Sequence, residues 1–367
     1  MSASRTREPV LPALLRPDAP ALPADEPAPP PRRVPPVPLF AAGLVALVGS
    51  VAGGVLVGSG DIGLAELGRV LGGHLGLHVD PLPRLLDSLV WDLRIPRVLM
   101  AAVVGAALAI CGAVLQAVTR NALAEPYLLG ISHGASTGAV VVVVLGVGGG
   151  ALGVSGGALV GALGSFALLL ALLGSRGLSS VRVLLTGIVV GLLFEAVTYL
   201  VLMASSDADT TRAITYWLLG SMAPSRWDTL VVTAVVAAVG LLVLWLYSTA
   251  LDGLAFGTDT AAALGINVRA TRIVLLVVTA VLTSVVVASV GAIAFVGLIV
   301  PHGVRFLLGP AHRTLLPFSA LAGAVFLVWT DALARVAFAP REVPVGVFTA
   351  LVGVPLFLLV LRRRGDL

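Results

Sequence analysis

Along the chain, long apolar runs alternate with short polar breaks. Ten runs stand out: 39–58, 96–118, 127–148, 151–173, 182–204, 228–248, 271–292, a short one at 295–303, 314–334 and 344–361. Most hold about 20 residues, the length a helix needs to cross a bilayer core of about 30 Å. The pattern predicts an all-α polytopic membrane protein with about ten transmembrane helices. Gly291, Gly297 and Pro301 break what would otherwise be one long span around 290–310, so boundaries there are the least sharp. Ahead of the runs, residues 1–38 hold 12 of the 23 prolines. Such a segment buries too little apolar surface to offset its ordering entropy. It is expected to be a disordered Pro-rich cytoplasmic tail preceding a membrane domain at 39–364, and it lacks the apolar stretch of a signal peptide.

Composition agrees with a lipid environment. The chain of 367 residues is 58% hydrophobic and only 11% charged, against about 25% charged for a soluble domain. A net charge of +4 could suggest nucleic acid as a partner. However, basic residues of membrane proteins gather in cytoplasmic loops, and no patch here interleaves Arg with aromatics, so none is expected. All 23 basic residues are Arg. A phosphate-binding P-loop needs a Lys, so the chain carries no such ATPase of its own, and a retinal-type Schiff base is excluded for the same reason. Cys111 is the single cysteine and cannot form an intramolecular disulfide. The five His (74, 78, 133, 302 and 312) are not expected to pair with carboxylates, so neither a metal nor a cofactor site is expected.

Arg placement orients the spans. With an inside N-terminus, cytoplasmic segments hold 15 Arg, among them Arg120, Arg182, Arg269, Arg272, Arg305 and Arg313, while outer segments hold 8. That excess follows the positive-inside rule. Arg94-x-x-Arg97 precedes the second run and Arg269-x-x-Arg272 the seventh, on opposite sides, as an inverted-topology repeat would give. Patterns such as Gly105-x-x-x-Ala109 and Gly157-x-x-x-Gly161 allow close helix contacts.

Three features carry candidate chemistry. The loop Ser248–Thr271 (STALDGLAFGTDTAAALGINVRAT) has helix-start signals at Thr258 and Asp259 and a stop at Gly265, and reads as a short helix at the inner surface able to dock a partner. Glu195 lies within an apolar run, and an intramembrane carboxylate is a functional candidate. It could relay protons in a proton-coupled secondary transporter or face a pore, although no partner carboxylate or His is evident in a neighbouring run. Asp331 and Arg335 are spaced as an i,i+4 pair.

Five blocks in order, RIPRVLMAAVVGAALAICGAVLQ, RNALAEPYLLGISHGA, LAFGTDTAAALGI, GAIAFVGLIVPHGVRFLLGPAHRTLLP and EVPVGVFTALVGVPLFLLVLRRR, closely resemble the permease subunits of ABC importers for iron–siderophore complexes and vitamin B12, the FecCD family. The resemblance spans about 39–364. It implies a ten-helix permease with an inverted repeat that pairs with a second copy or paralogue in the lipid bilayer. Two ABC ATPase subunits, which would bind ATP and Mg, would sit on its cytoplasmic face, and an extracytoplasmic substrate-binding protein would dock outside. By the same match, Leu254, Phe256, Gly257, Ala262, Leu264 and Gly265 would contact the ATPase. Asn121, Leu123, Ser180 and Val181 would form the cytoplasmic gate, and Arg94, Arg97 and Arg335 would meet the binding protein. An iron–siderophore complex is the expected cargo, with vitamin B12 or haem as the alternative. The sequence departs from the family pattern at Ala122, where Pro is common, and at Tyr127, where Gly is usual.

Overall fold

The computed structural model describes residues 36–363 apart from 59–61, 147–149, 175–179 and 205–207. The expected Pro-rich tail lies outside the described residues as far as residue 35. Among those described there is no strand. The helices are α1 (Pro36–Leu56), α2 (Leu64–His74), α3 (Arg84–Ser88), α4 (Ile95–Thr119), α5 (Ile131–Leu145), α6 (Gly150–Leu173), α7 (Ser180–Ala204), α8 (Ala208–Leu218), α9 (Trp227–Leu246), α10 (Ser248–Ala255), α11 (Thr258–Ala263), α12 (Val268–Val290), α13 (Val296–Leu308), α14 (His312–Val336) and α15 (Val345–Arg363). A π-helical turn, Leu89–Arg94, joins α3 to α4, and a 3₁₀ turn, Pro126–Leu129, precedes α5.

Each of the ten apolar runs is helical. Seven helices among the described residues are long and apolar enough to cross a membrane, and three shorter apolar ones lie at Ile131–Leu145, Val296–Leu308 and Val345–Leu358. The interruption near 290–310 separates two helices. Gly291 (φ 77°) ends α12 and Phe295 (φ 70°) starts α13, both in the left-handed region. The third run begins later than its apolar pattern suggests, because Pro126 and the left-handed Gly130 (φ 76°) keep α5 from starting before Ile131.

The two halves repeat in length and packing. Helices α4, α5, α6 and α7 have 25, 15, 24 and 25 residues, and α12, α13, α14 and α15 have 23, 13, 25 and 19. The short α5 packs on α6 and α7, as the short α13 packs on α14 and α15. Helix α4 starts beside the C-terminus of α1, through Arg94 and Val55, whereas α12 starts near the far end of α4, where Arg272 faces Arg120. The repeat is therefore inverted.

Helix α4 is the axis of the bundle. It packs against α14, α13, α12 and α9, and 78% of its apolar window is buried, against 17% for α1 and 22% for α7. An all-round apolar helix belongs in such a core. Backbones meet there because side chains are missing. A Cβ on Gly105 would strike the carbonyl of Gly323 on α14, and one on Gly112 would strike Gly297 of α13. Likewise Gly157 and Gly161 of α6 lie against Gly138 and Gly134 of α5.

Prolines inside helices leave carbonyls without donors. Pro301 orphans the carbonyl of Gly297, and Gln116 Nε2 donates to it at 3.1 Å. Pro317 orphans that of Arg313, and Trp245 Nε1 donates there at 3.3 Å. Side chains from other helices thus close gaps that lipid cannot fill.

The Gly112 contact predicts that Gly112→Val destabilises the chain by about 3 kcal/mol, because backbone cannot yield to the new side chain. A Cβ at Gly164 meets nothing within 4 Å, so Gly164→Ala should leave stability unchanged or slightly raised. Thermal unfolding of both variants in detergent measures the contrast.

Candidate functional site

The three arginines expected to meet a binding protein come together at one end of the bundle, with their guanidinium groups turned inward. Asp331 of α14, 1% exposed, joins Arg97 and Arg335. Arg97 donates from Nη2 to Asp331 Oδ1 at 3.0 Å and from Nε to Oδ2 at 3.1 Å, and from Nη1 to Glu342 at 2.8 Å. Arg335 Nε lies 3.2 Å from Asp331 Oδ2, the expected i,i+4 pair. Arg335 also donates to the carbonyls of Val57 and Gly54, both at 2.7 Å, and Arg94 to that of Val55 at 3.0 Å. These carbonyls end α1, where orphan acceptors and the negative end of the helix dipole favour cations. Arg94 and Arg335 are buried, and Glu342 is the member that stands out from the cluster.

At the opposite end the loop after α9 contains two helices. Helix α11 begins at Thr258, where the sequence signals place it, and Gly265 (φ 81°) follows its end; α10, before it, was not expected. Gly257 (φ 116°) separates the pair. Phe256 is 77% exposed and Leu264 66%, while Leu254 is buried. Asp252 of α10 accepts from the backbone N–H of His312 at 2.9 Å and lies 2.7 Å from His312 Nδ1, holding α10 to the start of α14. This corrects the expectation that no His pairs with a carboxylate; His74 also lies 3.8 Å from Asp87. No cluster able to hold a metal ion occurs among the described residues.

The loop after α4 touches both neighbours. Arg120 (φ 47°) closes α4, and its guanidinium lies beside Gly257. Asn121 Oδ1 accepts from the N–H of Leu123 at 2.9 Å, folding the turn on itself, and Leu123 is exposed. Val181 is exposed at the start of α7; the side chain of Ser180 lies outside the described residues. Glu125 is buried, and its carboxylate accepts from the N–H of Phe295 at 3.0 Å. A carboxylate from the loop of one half therefore caps the short helix of the other. Burial pushes the Glu125 carboxyl up to about 7, against the opposing pull of that hydrogen bond.

Glu195 is not isolated. It accepts from the Tyr199 hydroxyl at 3.1 Å and lies within electrostatic range of Tyr127 and His133, whose rings lie 4.8 Å apart. His133 of the neighbouring run is thus near Glu195, and the hydrogen bond that Glu195 makes is to Tyr199. Sequence reasoning also left Gln116, Glu125, Asp252 and His312 without roles. The available signal was a lone polar residue in each apolar or gate stretch, but its partner is 60 or more positions away in every case.

The bundle carries an inverted repeat and an exposed two-helix loop at one end. The profile of the FecCD transport family matches residues 44–363. The chain is 41% identical to the cobalamin import system permease protein BtuC of Halobacterium salinarum over 77% of this chain and 75% of that one. It is 35% identical to the Fe(3+)-citrate import system permease protein YfmD of Bacillus subtilis, over 77% and 88%. A solved structure described as a metal-chelate type ABC transporter in an inward-facing conformation aligns with TM-score 0.79 and 28% identity, over 89% of this chain and 99% of that one. With these likenesses the chain is the membrane-spanning subunit of an ABC importer, a transporter component and not an enzyme. The chain belongs to the FecCD transport family.

Removing the Asp331 carboxylate would strand buried cations. Asp331→Ala should destabilise the chain by about 3 to 5 kcal/mol, read as a lower unfolding temperature, and a shift no larger than that of a surface Ala variant would refute the role. Glu125 predicts a pH effect. Its folded form holds a proton to higher pH than the unfolded form, so stability present at low pH is lost as pH rises from about 4.5 to about 7, by about 3 kcal/mol in total. Glu125→Gln keeps an acceptor for Phe295 but cannot ionise, and should flatten this slope in unfolding scans between pH 4.5 and 8; an unchanged slope would count against it.

Proposed function

We propose that this chain, paired with a second copy or a paralogue, forms the pathway of an importer for a bulky metal chelate, with ATP hydrolysed in two partner subunits. The observation that carries this is the exposed apolar pair Phe256 and Leu264 flanking α11. Large apolar side chains at a polar bundle end need cover, and a chain without a P-loop needs a contact with its energy source. The 15-to-8 Arg excess supports a cytoplasmic position for this end and for both termini. Movement of α11 would reach the gate loop through Arg120, which lies beside Gly257, while Asp252 ties α10 to His312 at the start of α14. Asn121, Leu123, Ser180 and Val181 would then open and close the inner mouth.

The binding protein would dock at the Arg94 end. The arginines there would hold the rim in shape, leaving Glu342 and the neighbouring loops to make contact. An iron–siderophore complex is one cargo compatible with this reading. The likeness to a relative named for cobalamin import favours a corrinoid as the second, and haem belongs to the same size class. Proton coupling through Glu195 is the competing mechanism, and it requires no ATPase partner.

Phe256→Asp and Leu264→Asp should each weaken copurification of the ATPase subunit by at least about tenfold, since a charge buried in an apolar contact costs more than 1.4 kcal/mol. In vesicles, uptake of a radiolabelled ferric siderophore or of cyanocobalamin should stop with vanadate and survive an uncoupler. Uptake that persists without ATP and disappears in Glu195→Gln would overturn the proposal.

A further inference from the structure

We infer that Glu195, Tyr199, Tyr127 and His133 form a negatively charged, hydrogen-bonding station on the translocation pathway, which passes neutral or cationic chelates and disfavours polyanionic ones. The inference rests on the import reading above and adds to it the charge class of the cargo. Glu195 lies in the middle of α7, a span whose apolar side chains Leu192, Leu193, Val197 and Leu200 are exposed. Tyr199, which donates to Glu195 at 3.1 Å, is 55% exposed. A carboxylate within a span faces a water-filled cavity or a protein neighbour and not lipid, and on the import reading this face of α7 is assigned to the pathway.

Two further groups belong to the same patch. Tyr127, in the 3₁₀ turn after the gate loop, lies within electrostatic range of Glu195. His133 stacks obliquely on it, and its Nδ1 is buried against Gly191 of α7 with no hydrogen-bond partner. The patch thus combines the Glu195 carboxylate, two phenols and an imidazole where the gate-loop turn meets α5 and α7. Its hydroxyl and carboxylate oxygens suit amide, hydroxyl and ammonium groups on a ligand, and the aromatic rings offer flat apolar contact. Negative charge in a confined, low-dielectric channel concentrates cations and excludes anions, by tenfold or more.

The test uses the chain's single cysteine to advantage, because Cys111 is buried. Leu192→Cys places a thiol one turn from Glu195 at an exposed position. In membrane vesicles holding the assembled complex, its modification by cationic trimethylammonium and anionic sulfonate methanethiosulfonates is followed by the mass of this chain. Rates are normalised to the same reagents on a free thiol. The cationic reagent should react roughly tenfold faster, and Glu195→Gln in the same background should bring the ratio near one. No modification by either reagent would place the face in lipid or in a protein contact and overturn the pathway assignment. Equal rates with Glu195 present would overturn charge selection. Vanadate-sensitive uptake by the same vesicles reports import separately, so failure of the station and failure of the import reading are distinguishable.

Discussion

The constraint on which this structure depends is that apolar surroundings offer no partner to an unpaired carbonyl or amide. A bundle of unbroken helices would satisfy it trivially, but this bundle is broken repeatedly, at Pro301 and Pro317 inside helices and at the left-handed starts of α5 and α13. Each break needs a donor or acceptor from elsewhere. Gln116 and Trp245 serve the carbonyls orphaned by Pro301 and Pro317, Glu125 the amide of Phe295, and Arg94 with Arg335 the end of α1. These few polar side chains tie helices far apart in sequence at defined points.

That arrangement joins packing to transport. Glycine contacts along α4, α13 and α14 bring backbones too close for adjustment by side chains, so those helices pack as one block. The loop after α4 is held on one side by Glu125 to α13 and touches the α10–α11 loop through Arg120 on the other.

Much of the architecture was legible in the sequence. The apolar runs marked ten helices, seven of them long enough to cross a membrane and three shorter, because a helix in lipid must be apolar over a set length, and the Gly-x-x-x-Gly patterns marked the close α5–α6 contact. Glycine and proline marked the breaks, and Thr258 the start of α11. The roles of Arg94, Arg97 and Arg335 were less legible. Arginine next to an apolar run reads equally well as a surface charge or as a cap on another helix, and the choice depends on where α1 ends in space.

The sequence by itself determined which segments form the apolar helices and that the chain has no P-loop of its own, because length, hydropathy and the absence of Lys are local or countable properties. Only the tertiary structure decided which polar groups meet. Asp331 reaches Arg97 across 234 positions and Glu125 reaches Phe295 across 170. Such pairings arise from the inverted folding of two halves onto each other, and no periodicity along the chain encodes them.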